Sequence, residues 1–341
     1  MSTPIESPSL LHEAITAARD PDWSQDWARL SVEHETLYDY ASAVDHAQHI
    51  ACLRPLTDQG QTLLQFEMDV RPAPAQHSVR RDAHGNSRAY FALNAPHHEL
   101  RVVARSQVLV RRRHASLDPT QSLSCAALRD HLTYRAKAPF EPASEFLFAS
   151  PFVPLHADLK RYAEVSLRPD RPVAEAAIDL MRRIHTDFEY APASTDISTP
   201  VIEVLRQRKG VCQDFAHLMI ACLRSCGLAA RYVSGYLLTR PPPGQAPLVG
   251  ADASHAWLSL WVPGLSPDRQ DDWLDLDPTN NCVPALHHVR VAQGRDFGDV
   301  TPLRGVIRGG GDHTLLVRVT TRLLAEGVGE PAVAPTWGGV P

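Results

Sequence analysis

The stretch Lys209-Gly210-Val211-Cys212-Gln213-Asp214-Phe215-Ala216-His217 decides how the rest of this chain is read. A glycine stands two residues before the cysteine, and an apolar helical run follows from Asp214 to Cys226. Gly227 is a natural C-terminal stop for that helix. A helix that begins at Cys212 or just after it sets the thiol at the positive end of the macrodipole, among N–H groups with no intrahelical acceptor. Both effects favour the thiolate, the reactive form of cysteine. The backbone N–H of Cys212 can also face an oxyanion developing on a bound carbonyl. A thiol at a helix start becomes a candidate nucleophile only when a base can be found for it.

The candidate base is His255, in Ala253-Ser254-His255-Ala256-Trp257. It opens an alternating run in which His255, Trp257 and Ser259 share one face of a strand and Ala256, Leu258 and Leu260 the other. Farther on, Trp273-Leu274-Asp275-Leu276-Asp277-Pro278-Thr279-Asn280 reads as a strand that Pro278 ends. A carboxylate there can fix the imidazole tautomer and stabilise the imidazolium. Spacing alone leaves Asp275 and Asp277 equivalent.

Outward from these segments the chain divides by pattern. Residues 31–113 carry strand signals at Ser31–Leu37, Leu64–Val70, Ser87–Leu93 and Leu100–Val110, with a turn at Asp82-Ala83-His84-Gly85-Asn86. Helical spacing follows at Leu123–Tyr134, His156–Leu167, Val173–Phe188 and Pro200–Arg208, with Pro172 placed for a helix start. Strands return at Arg231–Leu238, His255–Val262, Trp273–Asp277 and near Leu315–Leu323. The order β, then α, then β predicts an α+β catalytic domain behind an antiparallel β-rich N-terminal domain. The expected divisions are 1–29, an arm or short helix carrying Leu10, Leu11, Ala14, Ile15 and Ala18; 30–113, the β-rich domain; 114–325, the catalytic domain with its core at about 171–282; and 326–341, a Gly-, Pro- and Ala-rich flexible tail.

Composition excludes several classes. The net charge of -5 arises from 34 basic and 39 acidic residues with no long block of either sign, so no nucleic-acid partner is expected; Arg111-Arg112-Arg113-His114 reads as a solvated strand end. No apolar run is long enough for a membrane span and no secretory h-region is visible, which sets a cytoplasmic, membrane-free expectation. The cysteines at 52, 125, 212, 222, 226 and 282 lack disulfide or zinc-site spacing, and Cys222 and Cys226 read as core thiols. His97-His98 and His287-His288 read as surface or loop histidines. Neither a metal nor another cofactor is expected.

Several motifs together resemble one family. Gly-Val-Cys-Gln-Asp-Phe-Ala-His at 210–217, Ala-Arg-Tyr-Val-Ser-Gly-Tyr at 230–236, Ser-His-Ala-Trp at 254–257, Asp-Pro-Thr-Asn at 277–280 and Gly-Arg-Asp-Phe-Gly-Asp-Val at 294–300 are similar to a bacterial branch of the transglutaminase-like superfamily. Segment 31–110 with its Asp-x-x-Gly-Asn turn resembles the β-domain that precedes the core in that branch. The resemblance implies a papain-like core, a triad of Cys212, His255 and Asp277, and acyl transfer through a thioester on peptide or isopeptide amides. Hydrolysis is the favoured outcome, as in a cysteine peptidase or amidase, and transfer to an amine, as in a protein-glutamine gamma-glutamyltransferase, is the alternative. A third reading is a non-catalytic binding or scaffold protein of the same fold. Animal relatives supply an oxyanion donor from a tryptophan upstream of the cysteine; the segment Phe188–Asp196 has none, so Tyr190, with Gln213 and Trp257, stands as an oxyanion or substrate-site candidate. The loop Arg240–Asp252 is expected to shape acceptor access. The family also implies a peptide or protein substrate and partners of ATP-grasp-like, peptide-synthesising or proteasome-like kind.

Overall fold

The computed structural model of the protein describes residues 26–114, 117–192, 195, 198–239, 254–265 and 272–324. The expected amphipathic segment near Leu10–Ala18, the loop Arg240–Asp252 and the tail 326–341 lie outside the described residues.

The N-terminal module is built on one long strand, β1 (Trp27–Ala51), which therefore starts ahead of the expected boundary at residue 30. Its residues alternate between buried and exposed, with Ala28, Leu30 and Val32 inward, as a sheet with one covered face requires. Strands β2 (Gln61–Arg71), β3 (Gln76–Arg81), β4 (Ser87–Leu93) and β5 (His97–Arg111) join it in the order β2-β5-β1-β4-β3. A register shift between Asp39 and Val44 bends β1, so that β5 pairs with its first half and β4 with its second. The turn between β3 and β4 is closed by Asp82, whose carboxylate accepts from the Asn86 and His84 N–H groups, while Gly85 takes a φ of 83°.

The helical part follows: α1 (Cys125–Leu132), α2 (Ala157–Glu164), α3 (Val173–Asp187), α4 (Val201–Gln207) and α5 (Cys212–Ser225). Ser124 caps α1, its hydroxyl accepting from the Ala127 N–H, and Pro172 is the residue before α3. Helix α5 is buried at every residue from Asp214 to Arg224, as a helix at the centre of a core must be, with Asp214, His217 and Arg224 its buried polar side chains. Gly227, at φ 76°, ends it as the sequence predicts. Two short strands, β6 (Glu189–Tyr190) and β7 (Lys209–Gly210), pair in parallel and bring Tyr190 beside the entry to α5.

Against α5 lies an antiparallel sheet of β8 (Ala230–Leu237), β9 (Ser254–Trp261), β10 (Trp273–Leu276) and β11 (His288–Gly294), in the order β10-β9-β8-β11. Ala256, Leu258 and Leu260 join the helices in one core, while His255, Trp257 and Ser259 face the opposite way. The strand β11 is not legible in the sequence.

After a one-turn helix α6 (Phe297–Val300), the chain returns to the first module. Strands β12 (Leu303–Gly309) and β13 (His313–Leu323) both pair with β1. The span to residue 325, expected to belong wholly to the catalytic part, thus ends inside the N-terminal sheet. Alternation identifies a strand but carries no information about which edge it joins. Ala28, Leu30, Val32, Val108 and Val110 share the core of the helical part, so the two modules are packed on continuous apolar surface. Two side-chain amides then cover the free edge of β11. Gln61 donates to the Arg290 carbonyl at 2.7 Å and accepts its N–H at 2.9 Å, and Asn86 does the same for Gln293 at 2.7 and 2.8 Å. Each satisfies a backbone pair on the edge of β11, and the Leu56 N–H also reaches the Arg290 carbonyl.

Candidate active site

Cys212 is the first residue of α5, where its N–H has no intrahelical acceptor, and it is partly exposed. The helix entry is held by Asp214, whose Oδ2 accepts from the Val211 N–H at 2.8 Å and the Thr195 hydroxyl at 2.6 Å. A side chain at Gly210 would collide with Asp214, which explains the glycine two residues before the thiol. Four other cysteines, at 52, 125, 222 and 226, are buried, and burial raises their thiol pKa, to about 11 for Cys52 and Cys226. Cys212 differs from them in exposure and in having an imidazole beside it.

That imidazole is His255. Its Nε2 lies 2.7 Å from Asp277 Oδ2, and Cys212 is close enough to act on the charge of its ring. With Nε2 committed to the carboxylate, Nδ1 is the nitrogen left for the thiol. Burial alone would lower the proton affinity of His255; the Asp277 carboxylate, and then Cys212, reverse this and push its pKa up to about 10. The structure therefore brings together Cys212, His255 and Asp277 and separates Asp277 from Asp275 by their surroundings.

Asp277 is fully buried. Its Oδ1 accepts the N–H groups of Thr279 and Asn280 at 3.0 and 3.1 Å, so the Asp-Pro-Thr-Asn turn wraps its own carboxylate. Its Oδ2 accepts from His255, from Asn280 Nδ2 at 2.7 Å and from His288 Nε2 at 3.0 Å. Burial opposes ionisation, yet His255 and then His288 hold the carboxyl far below its ordinary range. From α3, His185 bonds the Thr279 carbonyl at 2.9 Å and braces the same turn.

His288 is the residue that sequence reasoning misses. Together with His287 and His97 it reads as a surface or loop histidine, yet both His288 and His97 are buried. His288 sits on β11, and burial lowers its pKa despite the Asp277 bond. A neutral imidazole that donates from Nε2 adds a donor to the carboxylate without adding a second cation. The one sequence signal is the alternation His288-Arg290-Ala292, obscured by polar residues at inward positions.

The three ligand-type groups His255, Asp277 and His288 converge as closely as the donors of a metal cluster would. Their contacts at 2.7 and 3.0 Å are direct hydrogen bonds, whereas two atoms each about 2.0–2.1 Å from a tetrahedral zinc ion stand roughly 3.3 Å apart. The residues fit a proton-sharing network better than a cation.

The remaining candidates separate. Tyr190 lies near the thiol: burial, then Cys212 and Asp214, raise its phenol pKa well above the ordinary value. Gln213 is half-buried in the first turn of α5. Trp257 is fully buried, stacked on His255 with centroids 5.9 Å apart and edge-on to His288 at 5.1 Å. It walls the back of the histidine pair and, being fully buried, offers no surface to a substrate. A side chain at Gly235 would strike this indole and the Val289 carbonyl.

The outlying motifs are structural. His217, neutral because burial lowers its pKa to about 4, accepts the Phe297 N–H at 3.1 Å and stacks on Phe152 at 5.5 Å. Arg88 donates to the Asp299 carbonyl at 2.6 Å, so segment 294–300 ties α5 to the β3–β4 turn.

Residues 30–109 match the bacterial transglutaminase-like N-terminal region, and residues 160–278 match the transglutaminase-like superfamily. A Mycobacterium tuberculosis protein described as uncharacterized is 41% identical over 289 residues, 84% of this chain and 90% of its own length. The chain belongs to the transglutaminase-like superfamily. A second relative, from Mycobacterium leprae and also described as uncharacterized, is 30% identical over 86% of this chain and 98% of its own length. A Pseudomonas aeruginosa protein-glutamine gamma-glutamyltransferase is 30% identical over 42% of this chain but only 21% of its own length. Among solved structures, a candidate cysteine protease from Cytophaga hutchinsonii shares the fold, with a TM-score of 0.69 at 19% identity over 90% of this chain and 94% of its own. The transglutaminase-like core behind a β-rich N-terminal region agrees with the α+β expectation. Among the described residues no helix is long and apolar enough to cross a membrane.

Proposed function

We propose that the protein is a cysteine-dependent acyl-transfer enzyme that cleaves peptide or isopeptide amides through a thioester on Cys212. The reading rests on one observation: His255, held by Asp277 at 2.7 Å, stands beside Cys212 at the start of α5, and both groups raise its proton affinity. His255 takes the thiol proton and Cys212 attacks the amide carbonyl. The Cys212 N–H meets the oxyanion, and Tyr190 adds a second donor. His255, now an imidazolium steadied by Asp277, gives its proton to the leaving amine, and a thioester remains. Water activated by the same base ends the cycle as hydrolysis.

The Pseudomonas relative, whose name is that of a transglutaminase, supports a second reading in which an amine displaces the thioester. The two differ only in the acceptor. Turnover of a peptide library, followed by mass spectrometry with and without a primary amine, separates them. Hydrolysed products in both arms support the peptidase reading, and amine adducts support transfer. An unmodified library together with an ordinary thiol pKa near ~8.5 would reject both and leave a scaffold.

A further inference from the structure

A cavity with an apolar floor lies in the N-terminal module. It is about 590 Å³ and is walled by β2 on one side and by β3 and β4 on the other. These are the two ends of the sheet order β2-β5-β1-β4-β3, so the sheet curls without closing and leaves its terminal strands facing one cavity. Among the described strands β2 pairs only with β5, and β3 only with β4. Each therefore presents a row of backbone groups with no strand partner. Every residue of β3 is exposed.

The lining has two chemical parts. Phe66, Met68, Val70 and Phe91 make an apolar floor continuous with the module's own core. Arg54, Arg80 and Arg81 supply the charge, and none makes an ion pair among the described residues. The acid in the lining, Asp69, is paired with Arg71 at 2.8 Å. Arg54 lies over the Phe66 ring at 5.3 Å, and burial followed by the neighbouring Arg81 disfavours its charge. Open edges invite self-association, and clustered positive charge is one way a chain prevents it. Two copies paired through β3 would set arginine against arginine. The same charge favours an anionic strand.

We infer that this groove binds an extended acidic peptide segment of a protein partner, carrying acidic residues on both strand faces with apolar residues among them, added as a strand to β3. Backbone bonds to the open edge supply affinity, carboxylates meet Arg80 and Arg81 on the two faces of β3 and Arg54 above Phe66, and apolar side chains lie on the floor at Phe66 and Phe91. The matching segment is roughly six residues long, the length of β3. Because the groove is lined entirely by the N-terminal module, this role is separate from turnover at Cys212 and gives that module a function of its own.

The test is a fluorescence-anisotropy titration of the full chain carrying Cys212→Ala, so that the probe is not consumed. A labelled peptide with adjacent Glu pairs separated by Leu or Val is compared with its Lys counterpart and with a version N-methylated at alternate backbone positions. Saturable binding of the acidic peptide is expected, weakened about tenfold or more by N-methylation, by Arg80→Glu with Arg81→Glu, and by raised salt. The double variant should keep the wild-type circular dichroism and thermal midpoint. Equal binding of the Lys peptide, or no binding of any, overturns the proposal. So does an unchanged affinity after N-methylation, which would remove strand addition. Saturation of the groove by a fatty-acid anion without any peptide binding would overturn it as well and assign the groove to a small amphiphile.

Discussion

The pocket around Asp275 and the pocket around Asp277 lie two residues apart on one face of the β10 segment, and they hold a carboxylate in opposite ways. Asp275 bonds the Arg113 guanidinium at 2.6 Å and the Ser259 hydroxyl at 2.5 Å, with Arg290 at 3.6 Å. Burial raises its pKa, but Arg113, then Arg290 and Ser259, hold it at about 2. Guanidinium groups do not release protons near neutral pH, so this pocket can only stay charged. It joins the end of β5 to β9 and β11 and acts as a lock between the modules. Asp277 has imidazole and amide partners instead. Imidazoles gain and lose protons within the working range, so a charge can appear and vanish beside this carboxylate during a reaction cycle. The same side chain is a fastener in one setting and a proton-relay support in the other, and the partners alone make the difference.

The sharpest way to break the comparison is at the thiol it serves. Cys212→Ala should remove amide turnover by on the order of 10⁵- to 10⁶-fold with an unchanged melting curve. Residual turnover near wild type would end the thioester mechanism. Next, Asp277→Asn should lower turnover about 10⁴-fold by misorienting the imidazole, while the fold survives. It should also flatten a pH effect. The folded pKa of His255, about 10, stands above the ordinary value of about 6.5. Its pair with Asp277 therefore stabilises fully below about pH 6.5, and that contribution is lost as pH rises toward 10. Thermal midpoints across this window should fall in the wild type and fall less in Asp277→Asn.

At the other pocket the expected loss moves from rate to stability. Arg113→Met removes the nearest cation from a buried carboxylate and leaves it Arg290 and Ser259, and it should cost about 2–3 kcal/mol in denaturant unfolding, with little change in Cys212 alkylation rate. A large fall in alkylation at constant stability would show that the two pockets are not separate. The smallest expected effect is at His288. His288→Leu removes one donor from Asp277 and should reduce turnover about tenfold to a hundredfold, whereas His288→Gln, which keeps a donor of similar reach, should restore most of it. Equal losses in both would reduce His288 to a packing residue.

What is legible follows the range of the interactions. The helix at Cys212, its stop at Gly227 and the alternation of β9 depend on neighbours in the chain, and pattern reveals them. Cys222 and Cys226 read as core thiols on the same basis, and they are buried. The choice of Asp277 over Asp275 comes from the likeness of Asp-Pro-Thr to a family, since strand period treats the two alike. His288 and the return of β12 and β13 to β1 are not legible, because nothing local to them names a distant partner.

By itself, then, the sequence determined much of the local pattern of this protein: the principal helices and most of the strands, which face of each is apolar, and that a thiol stands at a helix start. Only the tertiary structure decided which charges meet. It placed two imidazoles on Asp277 and arginines on Asp275, and it drew the last two strands back alongside the first. The physical reason is that backbone propensity and periodicity act over a few residues, whereas burial leaves each buried charge to find its partner across the fold, wherever the chain has brought one.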